Sequence, residues 1–190
     1  EAVSGQPLNI FVRNNIFKPL EMTSSCYNPP FYRRGNIAAT SIINGKPNRG
    51  TVHDPIAAAM GGVSGNAGVF STAEDLANFC RMTLNQGTFK GRRILSPQSA
   101  AMLTTDITHG RAYGFDVNSK SHSWIKGDCF GDKAYCHSGY TGTSIVCDPQ
   151  SGLFVIILTN RVHPADKGST KTVRKEIADI VCRLCGDSAQ

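Results

Sequence analysis

The chain has 190 residues, of which 40% are hydrophobic and 18% charged, enough apolar material for the core of one domain. The net charge of +6 comes from bases spread along the chain; the adjacent pairs Arg33-Arg34 and Arg92-Arg93 carry no RNA- or DNA-binding motif with them, so nucleic acid is excluded as the expected partner and a solvated basic surface is predicted. No apolar run reaches the length of a membrane span.

Pro7 suits the first position of a helix, and Leu8, Phe11, Val12 and Ile16 recur at helical spacing as far as Pro19. Residues 28–55, rich in Pro, Gly, Asn and Arg, predict a long surface connection, with a small hairpin running from residues 37–43 through Asn44-Gly45 to residues 50–54. His53-Asp54 is the notable polar pair on it. It either reaches a substrate group or holds a turn through its side chains. The glycines of residues 61–68 lack the Gly-Lys-Ser/Thr ending of a phosphate loop and predict tight backbone turns instead.

Ser71 with Glu74 predicts a capped helix that buries Leu76, Phe79, Cys80 and Leu84 and stops at Gly87. Ser96-Pro97 opens a shorter helix carrying Ala101, Met102 and Leu103. Residues 113–117 alternate as a strand does, and His109, His122 and His163 read as surface histidines. Ile145-Val146-Cys147 and Leu153-Phe154-Val155-Ile156-Ile157-Leu158 flank a turn-rich Asp148-Pro149-Gln150-Ser151-Gly152, which predicts an antiparallel hairpin. Its second strand is apolar at nearly every position, so it is expected inside a sheet with both faces covered. A last helix buries Val173, Ile177, Ile180 and Val181 in this reading.

The seven cysteines, Cys26, Cys80, Cys129, Cys136, Cys147, Cys182 and Cys185, lack the paired spacing of a zinc site, and no metal or other cofactor is expected. They are predicted to be buried thiols acting as small hydrophobes. Cys182-x-x-Cys185 falls on the last helix, without the strand and loop of a thioredoxin-like redox site.

The stretch Tyr135-Cys136-His137-Ser138-Gly139-Tyr140-Thr141-Gly142-Thr143-Ser144 sets a single His among small and hydroxyl residues just before the hairpin. His-Ser-Gly there resembles the third motif, Lys-Thr-Gly or His-Thr-Gly, of the serine β-lactamases, penicillin-binding proteins and related esterases and D-amino-acid peptidases. Gly61-Gly62-Val63-Ser64-Gly65-Asn66-Ala67-Gly68-Val69-Phe70-Ser71-Thr72-Ala73-Glu74-Asp75-Leu76 looks like the family's Gly-rich turn and following helix. Ser4-Gly5-Gln6-Pro7-Leu8 and Ile16-Phe17-Lys18-Pro19-Leu20-Glu21-Met22 are similar to segments after its second motif, with Glu21 where a Gly is usual, and the order of the pieces agrees. The resemblance implies an α+β fold, an antiparallel β-sheet flanked by helices, of which residues 1–190 form a single domain carrying the C-terminal part.

The family's nucleophile, the Ser of Ser-x-x-Lys, and its Tyr-x-Asn motif lie upstream of the matched segments. No Tyr-x-Asn occurs here. Ser123-Trp124-Ile125-Lys126 fits Ser-x-x-Lys formally, but Gly127 follows it and a Ser/Lys/His-rich connection precedes it, so no helix is expected to present both groups. By resemblance, His137 holds a substrate carboxylate and assists proton transfer, and Ser138 adds a hydroxyl to the same ligand or relay. Gly139 keeps the strand bare, the Tyr140 N–H is one oxyanion donor, and Thr141 completes the substrate wall. The expected activity is an acyl-serine hydrolase of the β-lactamase, D-Ala-peptidase or esterase type, with this chain alone inactive. The alternative is a non-catalytic binding module of the same fold, and a metal hydrolase using His53, Asp54 and His137 ranks third. Expected partners are a small-molecule or peptide substrate with a carboxylate or acyl group, and a missing N-terminal half or a second copy. The family habit implies an extracytoplasmic place, while the cysteine usage also allows the cytoplasm.

Overall fold

The computed structural model describes residues 1–118 and 123–186, so His122 lies outside the described residues. The chain falls into two compact units, Glu1–Asn78 with Asn160–Gly168, and Phe79–Thr159 with Ser169–Gln190.

In the first unit, helix α1 (Leu8–Val12) begins after Pro7, whose ψ of 139° leaves it as the cap residue one place before the expected position. The helix continues as a π turn over Arg13–Phe17. This wider turn rotates the apolar stripe, so that Phe17 joins Leu20 and Met22 in the core while Ile16 is only half-buried. Strand β1 (Cys26–Tyr27) will pair with a later strand. Strands β2 (Ile42–Ile43) and β3 (Lys46–Pro47) form the anticipated hairpin, but its second arm follows directly on Asn44-Gly45 rather than at residues 50–54. Asn44 and Gly45 both have positive φ, 50° and 73°, the two-residue turn that fixes a hairpin register at once.

Helix α2 (Pro55–Ala59) leads into the glycine turns. Gly62 has φ +81°, and a Cβ on it would lie 2.1 Å from Asn28 Oδ1; Asn28 Nδ2 in turn donates to Gly61 O at 2.8 Å. Strand β4 (Val69–Phe70) pairs antiparallel with β1. At the start of α3 (Ala73–Leu84) the Asp75 amide donates to Thr72 Oγ1 at 3.3 Å. Ser71, the expected cap, is instead 2.7 Å from Ser25 Oγ. Ser25 Oγ in turn donates to the buried Asp75 carboxylate at 2.7 Å, which also accepts from Ser24 N at 2.9 Å.

The second unit takes over within α3, which ends where the Gly87 amide, at φ +85°, donates to Met82 O. Strands β5 (Thr88–Phe89) and β6 (Arg92–Arg93) make a small hairpin, and α4 (Pro97–Thr104) is capped by Ser96 Oγ, which accepts from Ser99 N at 3.0 Å. Residues 113–117 do not form the predicted strand. The Ala112 amide donates back to Phe115 O, so the chain turns on itself and only Asp116 reaches the sheet, as an isolated bridge to Cys136.

That sheet is an antiparallel meander of β7 (Tyr135–Ser138), β8 (Thr143–Cys147) and β9 (Phe154–Leu158). The β8–β9 turn is closed by Asp148, whose carboxylate accepts from Gln150 N and from the Ser151 hydroxyl. Cys136, Val146, Val155 and Ile157 face a cluster with Ile125, Phe130, Ala134 and Ala178. On the other face Tyr135, Cys147, Phe154 and Ile156 pack with Cys80, Phe115, Val117 and Leu103. Both faces of β9 are thus covered, which accounts for its unbroken apolar sequence, yet among the described residues it is the outer strand of the sheet and not an inner one.

Helix α5 (Lys171–Gly186) turns a different face inward from the one its hydrophobic residues suggest. Val173 and Ile180 are 49% and 54% exposed, while Arg174, Ala178 and Asp179 are buried. The cysteine reading is corrected too. Cys80, Cys136 and Cys147 are buried thiols, but Cys129 and Cys182 form a disulfide and Cys185 is exposed. None of the described helices is long and apolar enough to cross a membrane.

Candidate functional site

The His-Ser-Gly motif ends β7. His137 is paired with Ile145 and Ser138 with Ser144. The ladder then closes through a four-residue turn, with the Gly139 amide donating to Thr143 O at 2.8 Å and the Gly142 amide to Gly139 O at 3.1 Å. Gly142 has φ +121°, and a Cβ on it would meet Thr159 O and Thr159 Oγ1 at 3.0 Å each; the Thr159 hydroxyl donates to Gly142 O. A Cβ on Gly139 would come within 2.3 Å of Thr143 Oγ1. The turn is therefore built on two bare backbone positions, with His137 and Tyr140 exposed and Ser138, Gly139 and Thr141 half-buried.

Side chains alternate across a strand. His137 accordingly shares the face of Tyr135, while Ser138 shares the face of Cys136 and Val146. The pairing does not bring the imidazole and the hydroxyl to one side, whereas the expectation had Ser138 add its hydroxyl to the same ligand as His137 or to a proton relay.

Two groups hold this strand pair still. Tyr135, buried with its ring tilted by 56° against the Phe115 ring at 4.7 Å, donates its hydroxyl to Thr83 Oγ1 at 3.0 Å, and Thr83 donates on to Cys80 O. Burial pushes the Tyr135 phenol, and hydrogen bonding to Cys80 followed by burial pushes the Cys147 thiol, well above their ordinary ionisation ranges, so both stay neutral. From the other side Arg174 Nη1 donates to Thr143 O at 2.8 Å, the same carbonyl that receives the Gly139 amide. The guanidinium is stacked 5.0 Å from the Trp124 ring and Arg174 is 5% exposed. Sequence reasoning missed this residue because periodicity assigns an Arg to solvent. The pattern that could have found it is Arg174, Ile177, Ala178 and Val181 at helical spacing.

His53 and Asp54 belong to the first unit. Asp54 caps α2, its Oδ1 accepting from Ala57 N at 2.8 Å and from Asn66 Nδ2 at 3.2 Å. The Ala57 amide above all holds its carboxyl below the usual range. Of the two roles open to the pair in the sequence, turn-holding is the one Asp54 visibly performs. Ser123–Lys126 is a single 3-10 turn, and Lys126 Nζ is occupied at 3.1 Å with Asn118 Oδ1 and at 3.1 Å with Gly131 O. Among the described residues no three His, Cys, Asp or Glu side chains converge to hold a metal. A shallow concavity of about 440 Å³ lies on α5, lined by Trp124, Lys171, Thr172, Lys175, Glu176 and Asp179. None of the predicted site residues lines it.

The family model described as Beta-lactamase matches residues 1–179. An N-acetylmuramyl-L-alanine amidase of Bacillus subtilis is 34% identical, over 86% of this chain and 41% of its own length. A protein of Escherichia coli K12 named as a D-alanyl-D-alanine carboxypeptidase is 30% identical, over 86% of this chain and 42% of its own. The chain thus spans less than half the length of these relatives. A crystal structure of a β-lactamase from Mycobacterium bovis superposes with a TM-score of 0.65 at 22% identity, covering 96% of this chain and 58% of that one; at that identity the likeness speaks for the fold, which is of the β-lactamase and penicillin-binding-protein kind. The chain belongs to the β-lactamase family.

Proposed function

We propose that this chain supplies the substrate wall of an acyl-serine hydrolase whose nucleophile, a Ser-x-x-Lys serine, lies in a further part of the protein. The observation that carries the reading is the β7 end and its turn: a bare backbone at Gly139 and Gly142, braced by Tyr135 and Arg174, with His137 exposed beside it. A strand without a Cβ at Gly139 lets an acyl group lie flat against the main chain. His137 is placed to hold a substrate carboxylate and to pass a proton near the reacting centre. The Tyr140 N–H, at the turn, serves as an oxyanion donor, and one such donor contributes about 3 kcal/mol to lowering the barrier. That is too little to replace a nucleophile, so the chain alone is inactive in this reading. Thr141 completes the wall, while Ser138, on the opposite face of β7 from His137, stands apart from it. His53 and Asp54 contribute by ordering their own loop.

The names of the two relatives support an amide or peptide substrate bearing a carboxylate, and a β-lactam or ester fits the same wall. We infer also that the outer edge of β9 is the place where another polypeptide segment pairs, from the rest of a longer protein or from a second copy.

The test is labelling with a fluorescent penicillin and with an active-serine phosphonate, on this chain and on the protein of its full reading frame. Labelling of the longer protein alone is expected. Labelling of neither would transfer the reading to a binding module of the same fold, and labelling of this chain by itself would return the nucleophile to Ser123.

A further inference from the structure

Cys182-x-x-Cys185 has a third cysteine beside it. Cys129 and Cys182 are joined with their Cα atoms 6.1 Å apart, and Cys185 remains a free, exposed thiol on the last turn of α5. Residues three apart on a helix share a face, with Cβ atoms about 5–6 Å apart. A disulfide asks for a Cβ separation of about 3.5–4.5 Å. The difference is small enough for a terminal helical turn, which frays readily, to close.

The loop that carries Cys129 has other ties to the helix. Asp179 Oδ1 accepts from Asp128 N at 2.7 Å and Cys129 N at 2.9 Å, and Lys175 Nζ bonds Asp128 Oδ2 at 2.8 Å. Phe130, next to Cys129, is buried in the cluster beneath the sheet. The loop therefore stays docked whether or not Cys129 is bonded to Cys182, and an exposed Cys129 is left on the surface.

We propose that Cys185 is the exchange partner of the Cys129–Cys182 disulfide, so that the chain holds one disulfide in two alternative positions and one free thiol that moves between the end of α5 and the loop before β7. The Cys185 thiol gives its proton to solvent, and the thiolate attacks Cys182 Sγ. The Cys129–Cys182 bond breaks as the Cys182–Cys185 bond forms, and Cys129 leaves as a thiolate that takes up a proton. One disulfide and one thiol stand on each side, so no oxidant or reductant is consumed. The thiol set free on the loop is a modification site for small electrophiles and for mixed disulfides. This inference does not depend on the hydrolase reading.

The experiment is mass-spectrometric mapping of disulfides under non-reducing conditions after alkylation of the native chain at about pH 8.5, where ordinary thiols are substantially ionised. Only molecules whose buried Cys80, Cys136 and Cys147 stay unlabelled are scored, so that shuffling in unfolded chains does not enter. The expected result is label on Cys129 together with a Cys182–Cys185 bond in part of the sample, and loss of that Cys129 label in Cys185→Ser. Absence of label from Cys129, whatever Cys26 and Cys185 take up, or label on Cys129 that persists in Cys185→Ser, overturns the proposal.

Discussion

Gly139 and Gly142 bracket one turn for different reasons, and the difference can be measured. Gly142 sits at φ +121° with backbone oxygen 3.0 Å from any Cβ, a conformation that side chains rarely adopt and a neighbour that cannot rotate away. At Gly139 the obstruction is the Thr143 hydroxyl, with Thr143 Cβ at 3.7 Å, and rotation about χ1 relieves it. Gly142→Ala is therefore expected to lower the free energy of unfolding by about 1–3 kcal/mol, and Gly139→Ala by less, both read from urea unfolding. A larger loss at Gly139 would mean that rotation of the Thr143 side chain does not relieve the contact. The turn itself was not anticipated: Gly139 was expected as a bare strand position, and tight turns were read only at the glycines of residues 61–68. The capping role of Asp54 was legible only as one of two options, since a carboxylate before Pro55 looks the same whether it serves a helix or a ligand.

At the scale of elements, the four helices read from the sequence all form, while the strands divide. β8 and β9 declare themselves by continuous β-branched and apolar residues around a turn, and the Asp148 side chain closes that turn as the composition suggests. Residues 113–117 alternate just as well but fold back through the Ala112–Phe115 bond, a local competitor that alternation does not register. α5 was found by its period and misread in its face, because Arg174 occupies a core position usually given to a hydrophobe. Its charge is accommodated by the Thr143 carbonyl and the Trp124 ring, and hydrogen bonds from charged groups contribute about 1.5–3 kcal/mol. Arg174→Ala is expected to cost an amount in that range and to speed hydrogen exchange of the Gly139 amide, which shares the Thr143 carbonyl. Arg174→Lys should restore only part of the stability, because an ammonium cannot stack and bond in the same plane. Full rescue by Lys would mean that charge alone, and not the guanidinium plane, holds the turn.

For the whole molecule, the family and the α+β class were legible because short motifs kept their order along the chain. The disulfide was not, since seven cysteines at irregular spacing do not announce which two will meet once a loop folds against a helix. Nor did an apolar strand reveal that it would lie outermost. An edge strand presents unpaired N–H and C=O groups, and proteins normally blunt such an edge with charge, Pro or a covering segment. β9 carries neither charge nor Pro within Phe154–Leu158, and Leu158 at its end is 44% exposed. The expected consequence is concentration-dependent association of this chain, seen as a sedimentation coefficient that rises with loading. Leu158→Lys, which places a charge on the edge without removing a buried side chain, should shift the chain toward the monomer while leaving its unfolding midpoint nearly unchanged. A wild-type chain that sediments as a monomer at every concentration would mean that the edge is protected by something other than strand pairing, and the inference that β9 accepts another segment would fall with it.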